Sequence, residues 1–333
     1  MILRLLFLGA LIFGQIAYGF QKPTEQNLAP FHANTIMPFF NSGKQINVIG
    51  EKGIQLKGYG FIQSGPASTA IVLAPGWGEA ARKYAEVTYD LYEAGYSVFV
   101  MDHRGQGESQ RIINCPCSYV EDYKYYVEDL AKFIRQEVRP HFTKVFLVGH
   151  SMGGGISANL VQRYPEIIDG AVLSSPMLQV ITDPYNEVVA QSLTKAMVMI
   201  GKGKERRLFD KDKPADFATN IGTHSEVRYK ISRDLIELNP ALKTGWATNR
   251  WLNEVFEMTN NIRKSKDETK VPVMILQSEV DKYVVNSTQN KLCTAWKNCV
   301  LHPIPGTLHE ILMESDAARN KALGLIKEFV NKN

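Results

Sequence analysis

Residues 144–160 read KVFLVGHSMGGGISANL, and this stretch decides the fold. It begins with a run of β-branched and aromatic residues, which predicts a buried strand, and ends in a stretch that predicts a helix. Between them, Gly149, Ser151 and Gly153 form a Gly-x-Ser-x-Gly motif, in which small neighbours leave room for a strained turn. We therefore predict that Ser151 is a nucleophile held at the tip of the turn. The alternative is a plain glycine-rich turn.

The sequence around this motif alternates short apolar runs with helical stretches. The apolar runs cover residues 70–74, 96–102, 144–150, 170–176 and 271–281. Strands that alternate with helices in this way predict an α/β fold, a parallel sheet covered by helices on both faces. Two earlier β-prone segments, near 45–49 and 54–62, predict an antiparallel edge to that sheet.

The alternation is interrupted between Pro176 and the apolar run that starts at residue 271. We predict a core formed by residues 20–176 and 269–333, with residues 177–268 inserted as a cap before the last strands. A cap at this position would lie over the carboxyl ends of the parallel strands, which is where α/β folds place their sites.

The composition excludes several classes of protein. The 333 residues are 44% hydrophobic and 22% charged, which excludes a disordered or fibrous chain. Lys and Arg number 38 against 34 Asp and Glu, giving a net charge of +4. This balance argues against a dedicated nucleic-acid binder. We expect a packed, enzyme-sized protein with no nucleic-acid partner.

The N-terminus predicts a secretory signal peptide over residues 1–19. Arg4 precedes an apolar run from Leu5 to Ile16, and the small residues Ala17 and Gly19 precede the expected cleavage site. Cleavage there predicts a protein exported to the periplasm or the medium. The alternative is an uncleaved membrane anchor, because the apolar stretch approaches the roughly 20 residues that span a bilayer.

The four cysteines permit two disulfides in an oxidising compartment. We expect a local bond between Cys293 and Cys299. A bond between Cys115 and Cys117 is less expected, because it would close a very small ring. A zinc site is the alternative, but the Cys-Pro-Cys spacing is short for zinc and no pair of histidines lies nearby. We predict no metal and no cofactor.

A serine nucleophile needs a histidine as base and a carboxylate that orients the histidine. When a serine stands in this strand–turn–helix, the acid and then the histidine follow it along the chain. Asp281 closes the last long apolar run, and His309 follows the next predicted strand, so each lies where a loop at the carboxyl end of a strand is expected. We predict Ser151, Asp281 and His309 as the catalytic residues, with Glu279 as the rival acid.

Acyl transfer also needs N–H donors for the oxyanion, usually two from the backbone. Met152 would supply one of them, and Trp77, in the loop Pro75-Gly76-Trp77-Gly78 after an early strand, the other. The alternative for this loop is a tight turn with no further role. A second glycine-rich loop, DHRGQGES over 102–109, lacks the lysine and the following helix of a phosphate-binding loop, which favours a structural turn beside the site.

The predicted cap contains two patterns that each have two interpretations. An apolar helical stripe, which predicts either core packing of a cap helix or a flexible wall for an acyl chain, comprises Val189, Leu193, Ala196, Met197 and Ile200. A basic run, which predicts either a solvated loop or a contact with an anionic lipid surface, comprises Lys202, Lys204, Arg206 and Arg207.

At these residues the sequence resembles the α/β-hydrolase superfamily, and within it the branch of monoacylglycerol lipases and bacterial lysophospholipases. The matching motifs are PGWGE at 75–79, DHRGQGES at 102–109, GHSMGG at 149–154, SEVD at 278–281 and LHE at 308–310. Two longer segments, TGWATNRWLNEVFEM at 244–258 and LHEILMESDAARNKAL at 308–323, resemble bacterial lysophospholipases.

This resemblance implies a metal-free serine esterase that releases a fatty acid from a single-chain lipid, such as a lysophospholipid or a monoacylglycerol. Pro75 stands where many lipases have histidine, and this change leaves the Trp77 N–H available. A general carboxylesterase or a serine peptidase is the alternative activity. The cap predicts a preference for medium or long acyl chains and a peripheral contact with a membrane surface.

Overall fold

A computed structural model describes residues 23–64, 69–207, 216–265 and 269–333. The predicted signal peptide, residues 1–19, lies outside the described residues. So do residues 208–215 and 266–268 of the predicted cap.

The centre of the protein is one eight-stranded sheet with the strand order β1-β2-β4-β3-β5-β6-β7-β8. Its strands are β1 Lys44–Ile49, β2 Gln55–Phe61, β3 Thr69–Ala74, β4 Ser97–Met101, β5 Lys144–His150, β6 Gly170–Ser174, β7 Val273–Ser278 and β8 Cys299–Ile304. The strands from β4 through β8 in this order run parallel, whereas β1 and β2 are antiparallel to their neighbours. The predicted α/β class, with its antiparallel edge, is confirmed.

The helices cover both faces of the sheet and make up the insertion between β6 and β7, for which we keep the name cap. They are α1 Leu28–Phe31, α2 Met37–Ser42, α3 Ala85–Glu93, α4 Lys124–Phe133, α5 Met152–Arg163, α6 Glu187–Met199, α7 Glu226–Leu238, α8 Asn249–Lys264, α9 Asn286–Ala295 and α10 Asp316–Lys332. Of the described helices, none combines the length and the apolar character needed to cross a membrane.

The continuous apolar runs of the sequence arise because the central strands are buried on both faces. In β5, Val145 and Leu147 contribute to a core shared with α4 and α5, while Phe146 and Val148 contribute to a second core shared with α3 and α10. Successive side chains of a strand point to opposite faces, so both sets must be apolar.

Helices α6, α7 and α8 lie between β6 and β7 in the chain, within the predicted cap range of 177–268. Helix α7 is tied to the core through Arg228, whose buried guanidinium donates to Glu86 on α3 at 2.8 and 2.9 Å and to Asp316 on α10 at 2.8 Å. A buried charge is stable only when it is paired in this way. The α7 part of the cap is therefore anchored to the core.

The expectation that the apolar stripe on α6 packs into a core is wrong. Val189 is 53% exposed and Ile200 is 65% exposed, and Thr194 is the buried residue of this helix. The face around Thr194 lies against α8, where Gln191 bonds Asn260. Of the five residues of the stripe, Met197 is half-buried, and the other four, Val189, Leu193, Ala196 and Ile200, are exposed.

The four cysteines form two local disulfides, Cys293–Cys299 and Cys115–Cys117. The first joins the end of α9 to the start of β8. The second lies in the segment 115–118, which extends beside residues 245–248 of the cap: Ser118 and Ala247 form a β-bridge, and the Gly245 N–H donates to the Pro116 carbonyl at 2.8 Å.

Candidate active site

Ser151 lies in the tight connection between β5 and α5. Its φ of 51° places it in the left-handed region, which costs a non-glycine residue about 1–3 kcal/mol. The turn is held in place because the Ser151 N–H donates to Ser174 at the end of β6 at 3.0 Å, and the Ser151 carbonyl accepts from Met177 at 2.9 Å. The hydroxyl is thereby raised above the carboxyl edge of the sheet.

Gly153 shows why the motif needs a glycine after the serine. A Cβ atom at this position would overlap the carbonyl oxygens of Ala74 and Pro75, at the start of the loop that follows β3. The absent side chain lets that loop lie directly against the first turn of α5.

The structure brings Ser151, His309 and Asp281 into one hydrogen-bonded row. His309 Nε2 is 2.8 Å from Ser151 Oγ, and His309 Nδ1 is 2.7 Å from Asp281 Oδ2. All three residues lie at carboxyl ends of strands: Ser151 after β5, Asp281 after β7 and His309 after β8. In this arrangement the imidazole can take the proton of the serine, and the carboxylate can stabilise the imidazolium that forms.

The Asp281 carboxylate is buried and held ionised. Its side chain is 1% exposed, and Oδ1 accepts from the backbone N–H groups of Tyr283 at 2.8 Å and Val284 at 3.0 Å. Burial alone would raise its pKa, but the hydrogen bond and charge of His309, together with the two N–H donors, hold the pKa below its usual range.

Glu279, the rival acid, points elsewhere. Its Oε2 accepts from the Gly306 N–H at 2.6 Å, in the turn before His309, and the residue is exposed. Glu279 thus bonds the turn before His309 from the exposed side. Of the two carboxylates, that of Asp281 contacts His309.

The two backbone N–H groups that the sequence predicts as oxyanion donors are those of Met152 and Trp77. The Met152 N–H opens α5, where the first N–H groups of a helix have no partner within it, and the Trp77 N–H lies in the loop after β3. Neither donates to an acceptor in the described part of the chain. They can serve as the pair of donors that an oxyanion requires.

The loop that carries Trp77 is fixed on both sides of the free N–H. The Gly76 N–H donates to Glu79 Oε2 at 2.6 Å, and the Gly78 N–H donates to Gln106 Oε1 at 3.0 Å. Gln106 also donates to the Gly76 carbonyl at 3.0 Å. The neighbouring amides are therefore occupied while the central one stays free.

The role of Gln106 was not predicted from the sequence. The stretch DHRGQGES indicates a structural turn beside the site, and the structure places it there, but the pattern does not show which of its residues reaches the Trp77 loop. Gln106, buried at 1% exposure, is that residue. In the sequence, the signal for this contact is that Gln106 lies in a turn rich in glycine.

The Trp77 side chain links this loop to the cap. Its indole stacks on Trp251 of α8 with ring centroids 5.0 Å apart, and its Nε1 donates to Ser118 Oγ at 2.5 Å. The loop with the free N–H is thus in contact with both the cap and the 115–118 segment.

A second histidine lies close to His309. His150 is the last residue of β5, and the centroid of its ring lies 4.9 Å from that of the His309 ring. Burial lowers the pKa of His150 to about 4, so this ring is neutral near pH 7. It packs against His309 without adding a second positive charge beside the imidazole.

A strand order of this kind, with the Ser–His–Asp row and two free N–H groups at its carboxyl edge, defines a serine hydrolase with an α/β-hydrolase fold. A family model described as serine aminopeptidase, S33 (Hydrolase_4) matches residues 65–316. The chain belongs to this family.

Known proteins of similar sequence agree with the assignment to this family. Lysophospholipase L2 of Escherichia coli strain K12 is 33% identical over 281 residues, which cover 79% of this chain and 80% of that protein. The probable lysophospholipase L2 of Haemophilus influenzae is 31% identical over 300 residues, covering 89% and 95%. The structure of a soluble variant of monoglyceride lipase from Saccharomyces cerevisiae superposes with a TM-score of 0.68 at 20% identity, covering 87% of this chain and 96% of that one. This last likeness shows the fold.

Proposed function

We propose that the protein hydrolyses the carboxylic ester of single-chain lipids, and that lysophospholipids are its substrates. The observation that carries the proposal is the row Ser151–His309–Asp281, with contacts of 2.8 and 2.7 Å, beside two unoccupied backbone N–H groups. Each part matches one requirement of acyl transfer: a nucleophile, a base, a group that orients the base and donors for the oxyanion.

The geometry supports the following reaction. Ser151 Oγ attacks the ester carbonyl while its proton passes to His309 Nε2, and the oxygen that becomes negative accepts from the Trp77 and Met152 N–H groups. The C–O bond to the alcohol then breaks, and His309 gives the proton to the departing oxygen. A water molecule, deprotonated by His309, attacks the acyl-enzyme, and collapse of the second intermediate releases the fatty acid and returns the proton to Ser151.

The choice of lysophospholipids is supported by two relatives that are 33% and 31% identical over most of the chain, both of which are named lysophospholipases. Monoacylglycerol is the second candidate substrate, since a monoglyceride lipase shares the fold. A general carboxylesterase activity, and less so a peptidase activity, follow from the same chemistry.

The two lipid substrates are distinguished by fatty-acid release from lysophosphatidylcholine and from a monoacylglycerol of equal chain length, with Ser151→Ala as the blank. We expect faster release from the lysophospholipid, and faster release from lauroyl than from acetyl esters because a capped site favours long chains. Faster release from the glyceride would make the protein a monoacylglycerol lipase. Equal rates on acetyl and lauroyl esters, or no lipid hydrolysis, would contradict the proposal and favour small esters or peptides.

We further propose that the cap contacts a lipid surface through the α6 apolar face, formed by Val188, Val189, Leu193, Met199 and Ile200. Val188 is 70% exposed and Met199 is 74% exposed, and these residues lie on one side of the helix. The exposed Lys202 and Lys204 follow its end, while Arg206 and Arg207 are half-buried. An apolar helix face with lysines at its end suits an anionic bilayer surface, where lipid substrates are found.

The prediction for this surface is that Ile200→Glu lowers the binding of the protein to phosphatidylglycerol vesicles by about 30-fold, because an isoleucine side chain contributes about 2 kcal/mol when buried. Co-sedimentation with vesicles measures the effect. The matched control is Ile62→Glu, since Ile62 is 51% exposed in the loop after β2. Equal binding of the two variants would contradict a contact through α6.

We also propose that the protein is exported. Support comes from the apolar leader with its small residues before residue 20 and from the four paired cysteines, which suit an oxidising compartment. The mass of the mature protein tests this, because a cleaved leader removes residues 1–19, whereas an uncleaved anchor retains them.

A further inference from the structure

Lys83 lies between two carboxylates that belong to different parts of the site. Its Nζ is 2.6 Å from Glu79 Oε1 and 2.6 Å from Glu310 Oε2. The side chains of Lys83 and Glu79 are 12% and 9% exposed, and that of Glu310 is 26% exposed. We call these three residues the Lys83 bridge.

One end of the Lys83 bridge holds the loop with the free oxyanion donor. Glu79 Oε2 accepts from the Gly76 N–H at 2.6 Å and from the Tyr84 hydroxyl at 2.6 Å. The Gly76 amide immediately precedes Trp77, so the position of Glu79 sets the direction of the chain at the donor. Lys83 in turn fixes the other oxygen of Glu79.

The other end holds the loop with the base. Glu310 follows His309 in the chain, its N–H donates to the Gly222 carbonyl of the cap at 2.7 Å, and its carbonyl accepts from Met313 at 2.8 Å. The backbone around His309 is thereby joined through one lysine to the backbone around Trp77, although the two lie far apart in sequence.

The charges make this connection stiff. Burial alone would raise the pKa of Glu79, but the charge of Lys83 and the hydrogen bonds from Lys83 and Tyr84 outweigh it and hold the pKa at about 2. Burial alone would lower the pKa of Lys83, and the two carboxylates raise it above its usual value. Glu79 and Lys83 are therefore charged near pH 7, and a short contact between two buried charges tolerates little displacement.

We propose that Lys83 is a positioning residue that keeps the oxyanion donor at Trp77 and the base His309 at a fixed separation. The inference rests on the proposed ester hydrolysis, in which the oxyanion and the imidazolium form in the same step. Donors and base must then be in place together, and a shift of about 1 Å in either can lower the rate about 100-fold. Lys83 contacts neither the substrate carbonyl nor Ser151, and acts through the two loops.

The test compares Lys83→Met and Lys83→Arg by kcat and KM on a soluble ester, with active sites counted by a fluorophosphonate probe. For Lys83→Met we expect kcat to fall about 10- to 100-fold with KM within about twofold, because binding pockets are left intact while transition-state donors move. Lys83→Arg, which can still pair with both carboxylates, should recover kcat to within about fivefold of wild type. Lys230→Met removes another lysine from an i,i+4 ion pair, on the exposed surface of α7, and should leave kcat unchanged.

A lower melting temperature with an unchanged kcat per titrated site would show that Lys83 is only structural, and would overturn the proposal. A rise in KM with kcat unchanged would also overturn the proposal. If Lys83→Met does not fold, Glu310→Gln replaces it, since this variant keeps the Glu79–Lys83 pair and weakens the connection to the histidine loop. We expect it to lower kcat with KM unchanged, and an unchanged kcat would again overturn the proposal.

The test of Lys83 can be distinguished from the test of the proposed function. The rate at which the fluorophosphonate labels Ser151 depends on the activated serine and the oxyanion donors and not on a lipid substrate. If wild-type protein releases no fatty acid, the proposed substrate class is wrong, and slower labelling of Lys83→Met than of Lys230→Met still supports the role of Lys83. Equal labelling rates of these two variants would refute it.

Discussion

Replacing Ser151 with alanine is expected to lower kcat for ester hydrolysis by about 10⁵-fold, since removal of a triad nucleophile leaves only the oxyanion donors and substrate binding. The Ser151 Oγ is the atom that His309 Nε2 contacts at 2.8 Å, and the site offers no second hydroxyl at this place among its described hydrogen bonds. Fatty-acid release and labelling by a fluorophosphonate probe both measure the loss.

The fold of this variant is expected to persist, because the turn is held by backbone hydrogen bonds to Ser174 and Met177 and not by the hydroxyl. Thermal unfolding supplies the control. Ser151→Gly supplies a second control, because glycine adopts a φ of 51° without strain. We expect this variant to be as inactive as Ser151→Ala and to unfold at the same or a higher temperature. Turnover above about 1% of wild type in a natively folded Ser151→Ala protein would refute the nucleophile assignment.

Replacing Asp281 with asparagine is expected to lower kcat by about 10⁴-fold near neutral pH, the second-largest effect. An amide in place of the carboxylate cannot offset the charge of an imidazolium, and an NH₂ group facing His309 Nδ1 favours the tautomer in which Nε2 carries the proton and no longer accepts from Ser151. Asp281 Oδ2 also accepts from Ser278 Oγ at 2.8 Å, so with an NH₂ group in its place the Ser278 hydroxyl would have to accept and no longer donate. Steady-state kinetics on one lysophospholipid measures the change.

Glu279→Gln is the matched control for this variant. It removes the neighbouring carboxylate, which bonds the Gly306 N–H and lies exposed on the histidine loop. We expect kcat to stay within about threefold of wild type, because surface contacts of this kind are weak. A large loss in Glu279→Gln together with near-normal turnover in Asp281→Asn would reverse the assignment of the acid.

The predictions that succeeded rest on local chemistry. The strand KVFLV, the glycines of the motif and the helix after it restrict residues 144–160 to one local structure. The alternation of apolar runs restricts the chain to a parallel sheet, because parallel strands are buried on both faces. Once the sheet is assumed, Asp281 and His309 follow as polar residues at carboxyl ends of strands, where the structure brings them together with Ser151.

The prediction that failed concerns a helix whose partner the sequence does not reveal. An apolar stripe shows that one side of α6 avoids water in some setting, but the same stripe fits a core, a ligand wall or a membrane surface. In the structure, α6 packs on α8 through polar pairs such as Gln191–Asn260, and the stripe faces outward. Choosing between these settings requires knowing which surfaces the core leaves free.

The sequence by itself therefore determined the α/β class and the strained turn at Ser151, because the alternation of apolar runs and the glycine motif are patterns of the sequence itself. It also predicted the order of serine, acid and histidine, because that order follows from the strand–turn–helix at the serine once the sheet is assumed. Only the tertiary structure decided that Gln106 fixes the Trp77 loop, that Glu279 turns away from His309 and that Lys83 joins Glu79 to Glu310. These contacts link residues from separate loops, and buried polar groups choose partners by position in space, which no local pattern of sequence encodes.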